Sequence, residues 1–241
     1  MKQYEEVAEA MRQNGGYATL GWLNQHVPVA NWGTKTPYAT IRRIVQDRPE
    51  FFKIKPGLWA LEEARDAVAR QFALAPDSSP AQVETFNHTY YQGLIVEIGN
   101  MERFQTFVPH QDKNRLFLAR KLSEVATLPQ FHTFTYDTLL RRGSTVDITW
   151  FNERGLPHAF YEVEHSTDIQ NSLLKFLEFQ DFRIKFRIVA DAVRRKEYDA
   201  KLGYSAFAPI RDNTKFIDYD ALSNYHDKLS QSLASKHAGH F

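Results

Sequence analysis

Residues 160–169 read FYEVEHSTDI. Phe160, Tyr161 and Val163 are types that favour strands. Glu162 and Glu164 stand two apart, so in a strand both side chains leave the same face. Carboxylates that close repel, and near a core each is costly unless something pairs with it. The stretch therefore poses one question: what is held between Glu162 and Glu164?

The neighbouring segments frame an answer. STVDITWF (144–151) and HAFYEVEH (158–165) both read as strands, joined by NERGLP (152–157), whose Gly and Pro mark a turn. An antiparallel hairpin follows, in which Val146, Ile148 and Trp150 face one way and Asp147, Thr149 and Phe151 the other. That register brings Asp147 near Glu162 and Glu164. Three anions on one patch call for a divalent cation, and hard Mg²⁺ takes oxygen ligands at about 2.0–2.1 Å while keeping several waters. The alternative is a solvent-facing pair on a sheet edge, bonded by arginines such as Arg154 or Arg183.

Further out, Thr167 and Gln170 have the spacing of a capping box, and Ile169, Leu173, Phe176 and Leu177 make the buried stripe of the helix that follows. FRIVAD reads as a buried strand and RRKEYDAKLGY as a helix. Upstream, FNHTYYQGLIVEIGN places Tyr90, Tyr91, Leu94 and Ile98 on one helical stripe, with Glu97 at its border. RFQTFVP reads as a strand and RLFLARKLSEV as a helix. The order is helix, three strands, helix, strand, with a helical insertion after the first strand. His165 reads as a packing or DNA-facing residue rather than a ligand. His110 and Asp112 form either a second polar site or a plain loop, and the tail SNYHDKLSQSLASKHAGHF reads as a frayed helix with no role.

The first sixty residues have a different character. Val7 and Met11 mark a helix ended by Gly15-Gly16, and Leu20, Trp22, Leu23 and Val27 a second. Thr36 as N-cap and Pro37 at the first helical position open a third, with Ile41, Ile44 and Val45 buried. FFKIKPGLWAL supplies two strands around Pro56-Gly57. Three helices and a hairpin are the order of a winged helix-turn-helix. Between Lys35 and Lys55 six basic residues face two acids, Asp47 and Glu50, which suits phosphate contact but equally a solvated face of a protein-binding domain. The Pro/Ser cluster at 76–80 is the boundary: residues 1–62 form the first domain, 63–85 a linker and 86–241 the second domain.

Composition sets the outer limits. The 241 residues carry a net charge of +1, so nucleic-acid binding must be local rather than global. There is no cysteine, which excludes disulfides, thiol nucleophiles and thiolate zinc sites and fits a reducing compartment. Acids near the start speak against a signal peptide and no window approaches a membrane span, so the expectation is a cytoplasmic protein. No phosphate-binding Gly-rich loop with lysine, no Gly-x-Ser-x-Gly elbow, no His-Glu-x-x-His and no His-Asn-His arrangement is present.

On the acids and the order of elements, residues 86–203 resemble the PD-(D/E)XK nuclease family, and the EVEH segment is similar to that of restriction-endonuclease-like proteins. The resemblance implies an α+β fold with a mixed sheet and flanking helices. It implies Asp147 and Glu162 as ligands to Mg²⁺, with Mn²⁺ a substitute, and Glu97 as a helix-borne metal ligand. Glu164 stands where the family usually has lysine; a minority of restriction endonucleases have Glu there, and Glu164 would then orient water, with Lys175 a candidate source of positive charge. TKTPYATIRRIVQDRPEFFKIKPGLWAL resembles the HARE-HTH winged-helix module, which implies DNA contacts by Lys35, Thr36, Tyr38, Arg42, Arg43, Lys53 and Lys55. Together they imply a Mg²⁺-dependent, type II-like restriction endonuclease acting as a homodimer on double-stranded DNA, sequence-specific or carrying modified bases. The alternatives are a DNA-binding regulator with an inert nuclease-like platform, and a repair or recombination nuclease.

Overall fold

The computed structural model describes residues 1–237. They divide into two units, Met1–Val83 together with the chain from Ser223 onward, and Glu84–Leu222.

The first unit begins with α1 (Gln3–Gln13), β1 (Tyr17–Thr19), α2 (Leu20–His26) and α3 (Pro37–Asp47), followed by β2 (Phe51–Lys55), β3 (Leu58–Leu61) and α4 (Arg65–Gln71). The helices and hairpin lie where the sequence places them, and β1 adds a strand that gives an antiparallel sheet of order β1-β3-β2. Val7, Met11, Leu23, Ile41, Val45 and Trp59 form its core. Thr19 caps α2 by accepting from Trp22 N–H. Thr36 occupies the N-cap of α3 as expected, yet its side chain makes no capping bond; its carbonyl accepts from Thr40 Oγ1 instead.

The second unit is built on α5 (Pro80–Met101), β4 (Gln105–Phe107), a short hairpin β5 (Leu116–Phe117) and β6 (Arg120–Lys121), α6 (Leu122–Val125) and α7 (Asp137–Gly143). Then come β7 (Ile148–Phe151), β8 (Pro157–Glu164), α8 (Ile169–Leu177), β9 (Lys185–Ala190), α9 (Arg195–Leu202), β10 (Thr214–Asp218) and α10 (Tyr219–His237). The sheet has order β10-β9-β8-β7-β4, antiparallel from β4 through β8 and parallel from β8 through β10. This is a mixed sheet with flanking helices, the α+β architecture expected. Ile169, Leu173 and Phe176 of α8 pack with Phe160 of β8 and Phe186 and Ile188 of β9 in an apolar core.

Four local expectations change. RLFLARKLSEV is not one helix: Leu118 takes a positive φ of 55°, which reverses the chain into β5–β6 and leaves one helical turn, α6. α8 is capped by Asp168, which accepts from Gln170 N–H, and not by Thr167, whose hydroxyl is taken by Glu164. The strand β10 and the helix α7 were not expected. Finally, the tail packs with the first unit. From Ser223 on, α10 completes the first unit: Asp227 accepts from Asn24 Nδ2 at 2.9 Å, and Ser230 donates to Gly21 O at 2.8 Å. A Cβ on Gly21 would overlap the His226 ring, so the missing side chain permits this approach. Residues 238–241, the end of the expected frayed helix, lie outside the described residues.

Candidate active site

Two adjoining strands and the helix after them place the acids. Ile148 pairs with Tyr161 across β7–β8, so Asp147 stands beside Glu162 just beyond the last paired residue of β7. Val163 N–H donates to Asp147 Oδ2 at 2.8 Å, which fixes the carboxylate at the strand end. Glu162 and Glu164 follow Phe160 on the face that α8 covers. Here α8 changes character: beside apolar Leu173 and Phe176 it presents Ser172 and, three residues on, Lys175.

Lys175 Nζ lies 2.6 Å from Glu162 Oε1 and also donates to Thr145 O at 3.1 Å. Ser172 Oγ bonds Glu164 and stands 3.3 Å from Glu162 Oε2; Thr167 Oγ1 donates to the other oxygen of Glu164. Asp147, Glu162, Glu164 and Lys175 line one cavity of about 460 Å³, together with His88 and Arg142. His165 also lines it, its ring 2.6 Å from Tyr219 Oη. The hydrogen bonds spent on Glu164 are the reason it tolerates 4% exposure, and Glu162, at 5%, has the lysine.

The electrostatics follow from burial. Burial pushes Asp147 up to about 7, against the opposing pull of the Val163 N–H and the Lys175 charge. Burial, then Asp147, holds the Glu162 carboxyl well above the usual carboxylate range, although Lys175 pulls it down. Among the described residues these acids outnumber the ammonium group of Lys175 that contacts them, and a cation would relieve that imbalance. The donor set, carboxylate oxygens beside a lysine, fits a hard divalent ion.

Glu97 is not among these groups. It lies nine residues beyond His88 on α5, half a turn round the helix, where Arg120 Nη2 donates to it at 3.0 Å. Two side chains of α5 line the cavity instead, Glu84 and His88, and His88 Nε2 is 3.6 Å from Asp147 Oδ2. Asp112 also comes in, buried, bonded by Gln92 Nε2 and Arg115. Gly93 lets the neighbouring strand in: a Cβ there would overlap the Phe117 ring, so its absence lets β5 close on α5. His88 carried no signal in the sequence beyond sitting one turn before Gln92, and its relevance depends on the phase of α5.

The residues expected on DNA divide. Lys35, Thr36, Arg43 and Lys53 are exposed, and Lys55 is partly so. Tyr38 packs against the core of the first unit. Arg42 is engaged: its guanidinium donates to Asn224 Oδ1, and its Nε is 3.8 Å from the buried Asp227. The position is a helix-packing contact within the first unit, on a side chain that stays 35% exposed.

Fold and site together define an α+β protein with a buried carboxylate cluster opening on one polar cavity. Residues 73–236 match the family model of the type II restriction enzyme NmeDI C-terminal domain. The match spans more than half of the chain and includes Asp147, Glu162, Glu164 and Lys175, and the chain belongs to that family. It is a type II restriction-enzyme-like DNA endonuclease. No curated protein and no solved structure matches the chain. Among the described residues no helix is long and apolar enough to cross a membrane.

Proposed function

We propose that the chain is a Mg²⁺-dependent endonuclease of the PD-(D/E)XK type, in which Asp147 and Glu162 hold the metal and the first unit is a winged-helix DNA reader. The observation that carries this is the convergence of Asp147, Glu162, Glu164 and Lys175 on one cavity, from two paired strands and the next helix. A bound divalent ion would stabilise the charge that develops on the scissile phosphate.

The chain's own groups would do the rest. Lys175, anchored on Glu162, supplies the ammonium that the motif lacks at position 164, and this is what favours an active centre over an inert platform. Glu164, held by Thr167 and Ser172, keeps lone pairs to orient a water for in-line attack. Water oxygen bonds phosphorus as one P–O ester bond breaks, and the departing oxygen takes up a proton. Helix α5 contributes through His88, while Glu97, turned to Arg120, has no part. In the first unit Lys35, Thr36, Arg43, Lys53 and Lys55 are the candidates for DNA contact, without Arg42 and Tyr38. Two cuts in a duplex call for two centres, so the acting form is a homodimer, and the target is a specific sequence or a modified base.

The test is incubation of the purified chain with plasmid and phage DNAs, unmodified, methylated or hydroxymethylated, in Mg²⁺, Mn²⁺ or EDTA. Discrete fragments that require metal and vanish in Asp147→Ala and Glu162→Ala are expected. Intact DNA under every condition, with DNA binding retained, would transfer the reading to a regulator with an inert platform.

A further inference from the structure

His88, Asp112 and Asp147 reach one point from three parts of the second unit: α5, the loop between β4 and β5, and the residue before β7. One donor atom from each lies within 4.8 Å of the other two. The 3.6 Å between His88 Nε2 and Asp147 Oδ2 is too long for a hydrogen bond. Two donors bound at right angles, each about 2.1 Å from an ion, stand about 3 Å apart, so the spacing suits ligands around a shared cation.

A second observation points to the same place. Gln92, one helical turn after His88, is wholly buried and donates Nε2 to Asp112 Oδ2 at 2.9 Å. The oxygen of that same amide is buried with no hydrogen-bond partner among the described residues. An unsatisfied oxygen inside a protein is costly, and a cation or its water would satisfy it. Arg115 Nε, 3.1 Å from Asp112 Oδ1, and the Gln92 amide steady the carboxylate, and each of its oxygens retains a second lone pair. Ligands held from behind in this way are a feature of metal centres.

We propose that His88, Asp112 and Asp147 form a second cation subsite, which shares Asp147 with the Glu162 site and takes a first-row transition cation such as Mn²⁺ in preference to Mg²⁺. The inference deepens the nuclease reading and rests on it. The selectivity follows from the donors. Imidazole nitrogen suits transition cations, whereas Mg²⁺ demands oxygen ligands and gives up its waters reluctantly. The Glu162 side offers oxygen alone and suits Mg²⁺. The two halves of one centre would then sort two kinds of ion, with Asp147 common to both.

The test reads the metal directly. Electron paramagnetic resonance titration of the full chain with Mn²⁺ is expected to count about two ions per chain. Pulsed measurements should show the coupling of a directly bound imidazole nitrogen. Excess Mg²⁺ should displace about one ion and leave the nitrogen-coupled one in place. His88→Ala should lose the nitrogen signal and about one equivalent, Asp112→Asn should weaken the same ion, and Glu162→Gln should keep the nitrogen signal; circular dichroism checks that each variant folds. Bound Mn²⁺ without nitrogen coupling in the unmodified chain would overturn the proposal, as would coupling that survives His88→Ala. Metal-dependent cleavage without nitrogen coupling would sink this inference and spare the nuclease. Nitrogen-coupled Mn²⁺ without cleavage of any DNA would do the reverse.

Discussion

Each of the two units buries carboxylates, and Asp227 in one is treated differently from Glu162 and Glu164 in the other. In the first unit Asp227, 2% exposed, accepts from Asn24 and faces Arg42, so donors come from two separate helices. In the second, Glu162 and Glu164 are as deeply buried beside Asp147, yet among the described residues one ammonium group, Lys175, contacts them. The first arrangement is balanced and holds helices together. The second is oversupplied with acid, and burial pushes Asp147 and Glu162 towards their neutral, protonated forms. Burial alone does not mark a site; a shortage of positive partners does.

Substitutions should separate the two cases. The largest effect belongs to Glu162→Gln, which should lower metal-dependent cleavage by about 10²–10³-fold while leaving thermal stability equal or higher, because a strained buried carboxylate is gone. Single-turnover cleavage beside a melting curve checks both halves. Lys175→Met should cost about 10²-fold in cleavage and, unlike Glu162→Gln, also destabilise the fold, since Glu162 loses its counter-charge. Asp227→Ala should show the opposite division. It strands Asn24 and Arg42 and costs about 2–3 kcal/mol of first-unit stability, measured by urea unfolding or hydrogen exchange in α2 and α3.

A smaller effect concerns pH in the absence of metal. Asp147 titrates at about 7 in the folded chain against an ordinary 3.8, so its protonated form is the one the fold favours. The stability this gives is complete below about 3.8 and is lost as pH rises through about 7. In EDTA, Asp147→Asn should therefore match the unmodified chain near pH 4 and melt higher at pH 8, by about 2–4 °C for each kcal/mol relieved. A higher melting point at pH 4 alone would refute the assignment. The smallest effect is at the basic face: Arg43→Ala should weaken DNA binding a few-fold and flatten its salt dependence by about one unit, whereas Arg42→Ala should act on stability.

The acids were legible because two rules fix them. Side chains alternate along a strand, and the NERGLP turn sets which residues of the hairpin meet; Asp147, Glu162 and Glu164 follow from those alone. Helices carry no such fixed register against a sheet. Hence Lys175 stood only as a weak candidate, His88 went unseen, and Glu97 was named although it lies half a turn round α5 from His88 and is bonded by Arg120. β10 was missed because TKFID is short, carries two charges in five residues and is only partly buried. The hairpin at 116–121 has the composition of a helix, and nothing in it announces the positive φ of Leu118. The role of α10 in the first unit rests on small and polar side chains, Ser223, Asp227 and Ser230, which leave no apolar stripe to read.

Because the first unit draws on Met1–Val83 and again on the chain from Ser223, it is discontinuous in the gene's order. A ribosome adding about 5–20 residues per second needs on the order of ten seconds to make the stretch between them. Through that interval Asn24 and Gly21 have emerged but Asp227 and Ser230 do not yet exist. The part made first is finished last, after the whole carboxylate-bearing unit has been synthesised, and a chain that stops early has the acids without a completed partner unit.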